Sequence, residues 1–146
     1  MPEYSATVQT SLSPEEAFAY MAEFSHTSEW DPNCDSAERT DGGELGSGST
    51  FHLVFSGVAG QQMELDYEMR EYEAPRRFVL EGGNDSVHSV DTIEIEPSGA
   101  GAAVTYTAEL SLKGIKQIGT PFLAMGLQKA GSDARKGLEE KLNPSA

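Results

Sequence analysis

Apolar and polar residues alternate from the start of the chain. Tyr4, Ala6, Val8 and Leu12 fall on one side and Ser5, Thr7, Gln9 and Ser11 on the other, the period of a half-buried strand over residues 4–12. The period then changes. Ser13-Pro14-Glu15-Glu16 has the form of a helix start: a capping serine, a proline at the first helical position, and a glutamate able to reach back to the Ser13 N–H. Ala17, Met21 and Phe24, with Phe18 and Tyr20 beside them, give this helix its apolar side. A second, short helical turn is predicted over Thr27 to Trp30 and is stopped by Pro32, because proline biases the residue before it away from helical backbone.

Period two then returns. After a glycine-rich stretch from Asp41 to Ser49, Phe51, Leu53 and Phe55 share one side of residues 50–56. The cleanest alternation follows: Met63, Leu65, Tyr67 and Met69 point one way, Glu64, Asp66, Glu68 and Arg70 the other. Turns at Ala74-Pro75-Arg76, Gly82-Gly83-Asn84-Asp85 and Pro97–Gly101 separate three more strands. These carry Phe78 and Leu80, then Ile93 and Ile95, then Val104, Tyr106, Ala108 and Leu110. Thr120-Pro121 opens a long helix in which Leu123, Leu127, Ala130, Ala134, Leu138 and Leu142 recur at steps of three and four; it ends before Pro144. Short connections make neighbouring strands antiparallel. A single long helix must bury its stripe on the sheet, and the sheet must bury one face on that helix. The predicted architecture is α+β: about seven strands in a curved antiparallel sheet around a long C-terminal helix, with two short helices after strand 1. Residues 1–146 are read as one domain.

Charge narrows the partners. The 146 residues hold 24 acidic and 10 basic side chains, a formal net charge of -14, with no Lys/Arg cluster. Such a surface repels nucleic acid and anionic membranes alike. Cys34 is the single cysteine, so an internal disulfide is excluded and a reducing compartment is expected. The opening MPEYSATVQT has neither the basic region nor the apolar core of a signal peptide, and the apolar stretch around Phe122–Leu127 is too short to cross a bilayer. A cytoplasmic protein without membrane insertion is expected, as monomer or homodimer.

The interior is either an ordinary core or a cavity. Gly126, Gly131 and Gly137 on the long helix permit close approach to the sheet or leave room for a guest. Met63, Met69 and Met125 are flexible side chains that fill gaps or adapt to ligands. If a pocket exists, Phe51, Leu53, Leu65 and Tyr67 line it from the strands and Phe122 and Met125 from the helix. Trp30 is then a core anchor or a wall at the mouth. Asp91 shares the parity of Ile93 and Ile95 and so points inward, where a carboxylate needs partners. It is a candidate for holding the polar end of a ligand, with Tyr67 or Tyr106, unless a bulge turns it outward. His26, His52 and His88 lack a metal-ligand spacing, and no Gly-Lys-Ser/Thr follows the Gly42–Gly48 loop, so neither metal nor cofactor is expected.

The segments Ser13-Pro14-Glu15-Glu16-Ala17-Phe18, Glu29-Trp30-Asp31-Pro32, Gly46-Ser47-Gly48-Ser49-Thr50-Phe51 and Glu71-Tyr72-Glu73-Ala74-Pro75-Arg76-Arg77, with the long helix ending Gly137-Leu138, resemble the SRPBCC or START-like helix-grip superfamily. The resemblance covers nearly the whole chain and is narrowest to bacterial polyketide cyclase/dehydrase-type members. It implies a deep pocket for lipids, polyketides, sterols or similar molecules. Aromatase/cyclases of that family usually place an arginine inside the pocket; here Arg70 has outward parity, a departure that weighs against an enzyme. Three functions are compatible: a binding or carrier protein for a small hydrophobic ligand; a cyclase, aromatase or dehydratase using Asp91 and Tyr106 as acid–base candidates; and a protein-interaction module, which the charged outer strand faces disfavour.

Overall fold

The structure, a computed structural model, describes residues 3–56, 62–113 and 120–143, with the side chains of Leu112 and of residues 120–128 outside the described set. Seven strands form one antiparallel sheet: β1 (Glu3–Thr10), β2 (Cys34–Arg39), β3 (Thr50–Ser56), β4 (Gln62–Glu73), β5 (Arg77–Gly83), β6 (Val87–Ser98) and β7 (Gly101–Leu112). Their order across the sheet is β1-β7-β6-β5-β4-β3-β2, so β1 and β2 are the two edges. Two short helices, α1 (Pro14–Ala22) and α2 (Thr27–Trp30), join those edges through a 3-10 turn at Phe24–His26. The long helix α3 (Thr120–Leu142) closes the chain. This is the α+β, helix-grip architecture that the patterning predicts.

The local signals act as expected. The Ser13 hydroxyl accepts from the Glu16 N–H at 3.1 Å, while the Glu16 carboxylate accepts from the Ser13 N–H at 3.0 Å. Ala17, Phe18, Met21 and Ala22 are buried, and the Phe18 ring meets Tyr72 and Phe78 edge-on at 5.3 and 5.4 Å. Tyr72 reaches that inner position because the β4–β5 register shifts between Met69 and Glu71, which reverses the parity of β4 beyond the bulge.

Two boundaries differ from the pattern. β1 ends at Thr10, so Leu12 lies beyond the strand; the Thr10 hydroxyl instead donates to the Leu142 carbonyl at 2.8 Å and ties β1 to the end of α3. β2 occupies Cys34–Arg39, where no alternation marks a strand; it is paired to β3 with a register shift between Cys34 and Ser36.

The second half of α3 lies close against β1 and α2, and two of its glycines explain why. A methyl group on Gly131 would collide with the Tyr4 ring, and one on Gly137 with the Trp30 carbonyl. At these positions glycine serves close approach rather than room for a guest; Gly126 lies outside the described side chains. Ala134, Leu138 and Leu142 complete the seal.

Candidate functional site

The strand registers set the inner face of the sheet. Leu53 pairs with Leu65 and Phe51 with Tyr67, Met69 faces Leu80, Leu80 faces Asp91, and Ile93 faces Tyr106. Burial along this face is uneven. Ala102 and Val104 on β7 are fully buried, but Tyr106, Ala108 and Leu110 on the same face are only half-buried, as are Phe55 and Met63 across the sheet. The face is therefore sealed toward Ala102, beneath the second half of α3, and incompletely covered toward Leu110 and Met63.

Into this apolar surface β6 inserts two polar side chains, Ser89 and Asp91, each 3% exposed. Alternation on β6 places both inward together with Val87, Ile93 and Ile95. The Ser89 hydroxyl donates to one Asp91 carboxylate oxygen at 3.2 Å, and the Tyr106 hydroxyl donates to the other at 3.0 Å. The Tyr67 hydroxyl donates to Ser89 at 3.1 Å, from two strands away. Gly82 makes that reach possible: it is paired with Tyr67 on one side and Ser89 on the other, so β5 presents no side chain between them. The result is one hydrogen-bonded chain, Tyr67–Ser89–Asp91–Tyr106, across β4 to β7. Among the described residues no buried side-chain nitrogen or oxygen lacks a partner.

Burial controls the acid–base character of this chain. Desolvation pushes the Asp91 carboxyl up to about 7, against the lowering effect of the Tyr106 and Ser89 hydroxyls, with the Asp31 carboxylate adding to the rise. Tyr67 and Tyr106 are held well above the ordinary tyrosine range by burial first and then by Asp91. Near neutrality both phenols are protonated and Asp91 is divided between its two forms.

Counting hydrogens shows what each form offers. An ionised Asp91 can only accept, so Ser89 and Tyr106 must donate to it, and Tyr67 must then donate to Ser89. Three hydroxyl hydrogens fill three bonds and none is left. A protonated Asp91 adds a fourth hydrogen to the same three bonds, so one donor becomes free.

The other residues singled out from the sequence divide into groups. Phe51, Leu53, Leu65, Tyr67 and Met69 are buried in the core, and Met63 packs against it half-buried. Trp30 is 4% exposed and meets the Tyr106 ring edge-on at 5.7 Å. Phe122 and Met125 lie outside the described side chains. Arg70 is outward, paired with Glu68 and Glu81 at 3.2 Å each. Asp91, Tyr67 and Tyr106 are brought together. The link that joins them, Ser89, was not singled out, although its parity with Asp91 and Ile93 marks it as inward.

Between Trp30, Tyr106 and the second half of α3 the interior is filled: the void bordered by Tyr4, Val8, Gly131 and Leu138 is about 10 Å³. In this part of the fold the expected empty space is absent, because the helix glycines let α3 settle onto β1. A groove of about 480 Å³ opens instead on the outside, between α2 and α3, lined by Trp30, Asp31, Pro32, Asp133, Lys136 and Gly137 among others. Asp31 is buried there, accepts from the Asn33 N–H at 2.9 Å, and is pushed up to about 6 by desolvation, with Asp133 adding to the rise. Among the described residues no cluster of three or more His, Cys, Asp or Glu side chains is placed to hold a metal, and no helix is long and apolar enough to cross a membrane. Cys34 is buried, and desolvation pushes its thiol up to about 12, which makes it a poor nucleophile.

A curved antiparallel sheet gripping a C-terminal helix, with a polar chain set into its apolar inner face, defines a helix-grip protein. The chain belongs to the polyketide cyclase / dehydrase and lipid transport family, whose model matches residues 1–142. No curated protein sequence matches it. Solved structures share the fold at low identity. The protein TTHA0849 from Thermus thermophilus superposes with a TM-score of 0.79 at 18% identity, covering 97% of both chains. A START superfamily protein from Mycobacterium smegmatis gives 0.75 at 15% identity, covering 96% of both. The Zhui aromatase/cyclase from Streptomyces sp. R1128 gives 0.77 at 11% identity, covering 96% of this chain and 92% of the other.

Proposed function

We propose that this chain is a single binding unit for a small hydrophobic molecule, held on the inner face of the sheet between Met63 and Leu110 and oriented by Tyr106 and Asp91. One observation carries the reading. A fully bonded polar chain is set into an otherwise apolar face beside inner-facing apolar residues that are only half-buried, while the opposite end of that face is sealed. Pockets for small molecules have this make-up, largely apolar with few placed polar groups. Membership of a family described by cyclase, dehydrase and lipid transport supports the same reading.

A ligand of about 20 heavy atoms at roughly 0.3 kcal/mol each gains about 6 kcal/mol, a Kd of tens of micromolar. Titration with the neutral fluorophore N-phenyl-1-naphthylamine should give a saturable rise in emission in that range. Emission that stays flat, or climbs without saturation, sinks the reading.

An enzymatic second reading is favoured by one feature: a buried carboxyl that titrates near neutrality and bonds a tyrosine at 3.0 Å can pass a proton at working pH. A cyclase or dehydratase of this kind would lose turnover of a poly-β-keto chain in both Asp91→Asn and Tyr106→Phe.

A further inference from the structure

The hydrogen count of the polar chain limits what can sit against it. With Asp91 ionised, Tyr67, Ser89 and Tyr106 have all committed their hydrogens inward, and what faces a newcomer is lone pairs. Tyr67, Ser89 and Asp91 are buried while Tyr106 is half-buried, so Tyr106 is the member of the chain nearest to a guest on the inner face. A group that only accepts, such as an ether or a ketone, finds no partner there and loses the bonds it made to water.

Charge narrows the choice again. Among the described residues, the charged group acting on Asp91 is another carboxylate, Asp31. Two described cations that border this region are paired. Arg135, which borders the small void beside Tyr106, pairs with Glu139 at 3.7 Å. Arg39, at the far edge of the inner face, is held by Asp41 at 3.0 Å, by Glu23 at 3.4 Å and by the Gly43 carbonyl. A carboxylate brought to Tyr106 would face the like charge of Asp91 and Asp31, in a desolvated setting where repulsion is strong.

We infer that, with Asp91 ionised, the site takes a neutral hydrophobic molecule whose polar end is a hydroxyl donor, an alcohol or a phenol, and turns away the matching carboxylate. This rests on the ligand-binding reading above and narrows it to a substrate class. It sets the protein apart from carriers of fatty acids, which need a cation or a set of free donors for the head group.

Three probes of one shape test it: 2-naphthol, naphthalene and 2-naphthoate, each used to displace N-phenyl-1-naphthylamine at about pH 8, where the phenol is neutral and the acid ionised. Displacement by 2-naphthol should need at least about tenfold less ligand than displacement by 2-naphthoate, and less than naphthalene. In Asp91→Asn, which keeps the side-chain shape and removes the charge, the penalty on 2-naphthoate should fall by about tenfold. A fluorophore that fails to bind refutes the ligand reading itself. A fluorophore that binds but is displaced equally well by 2-naphthoate, or no better by 2-naphthol than by naphthalene, overturns the hydroxyl-donor inference alone. A penalty unchanged in Asp91→Asn overturns Asp91 as its source. The wild-type series decides the matter even where the variant folds poorly.

Discussion

A carboxylate on the buried side of a strand costs stability in its ionised form, however well it is bonded. Asp91 carries this cost: its folded-state value of about 7 lies above the ordinary 3.8, so the native state holds the proton more tightly than the unfolded chain. Stability from this group therefore falls as pH rises between those two values and is level outside them. Asp31, raised to about 6, acts in the same direction. Asp91→Asn removes the first contribution, its amide oxygen accepting from one hydroxyl and its NH2 donating to the oxygen of the other. Its melting temperature should match wild type below about pH 4 and exceed it by several degrees at pH 8, the gap opening between them. Thermal melts across that range check the sign; a variant less stable at pH 8 would mean that the two hydroxyl bonds outweigh the desolvation. The inward aspect of Asp91 was legible from parity with Ile93 and Ile95. Its partners were only half legible, because a lone serine on a strand carries no signal beyond parity, and because Tyr67 reaches Ser89 only through the gap at Gly82, a three-strand relation that no linear pattern expresses.

Elements show the same division. Strands with one wet and one dry face announce themselves, so β3, β4, β6 and β7 could be read from alternation, and α1 from its capping box. β2 could not. Cys34-Asp35-Ser36-Ala37-Glu38-Arg39 is an edge strand with a register shift, and only Cys34 is fully buried, so too few inner positions remain to set a period. The glycines of α3 were legible as exceptions to helix propensity but not as to purpose, since a bare backbone serves close packing and cavities equally. The structure gives them unequal weight. A methyl on Gly131 meets the Tyr4 ring, a side chain able to rotate; a methyl on Gly137 meets a backbone carbonyl held at the end of α2. Gly137→Ala should therefore lower stability by about 2 kcal/mol or more, and Gly131→Ala by less, in urea unfolding of both. Equal losses would mean that the Trp30 backbone yields as readily as a side chain.

At the scale of the molecule, charge is sorted by face. The outer face of the sheet carries Glu64, Asp66, Glu68, Glu81 and Glu94, only partly balanced by Arg70, Arg77, His52 and His88. His52, between Asp66 at 2.7 Å and Glu64 at 3.0 Å, is held protonated to higher pH than usual, first by its bond to Asp66. The formal charge of -14 thus resides largely on solvent-facing positions, where it favours solubility and leaves the inner face apolar apart from its polar chain.

The strand order has a further consequence. Because β1 and β2 never meet, the fabric has two hems, and a woven sheet frays from its hems first. β5 and β6 are stitched on both sides, and residues such as Val79, Leu80 and Ile93 sit in their middle. Amide deuteration should sweep inward from β2, with β5 and β6 the last to label. The polar chain would then keep its anchor in the slowest cloth even while a margin loosens enough to admit a guest. Early labelling at Ser89 to Asp91 would show the opposite, that the anchor itself comes undone first.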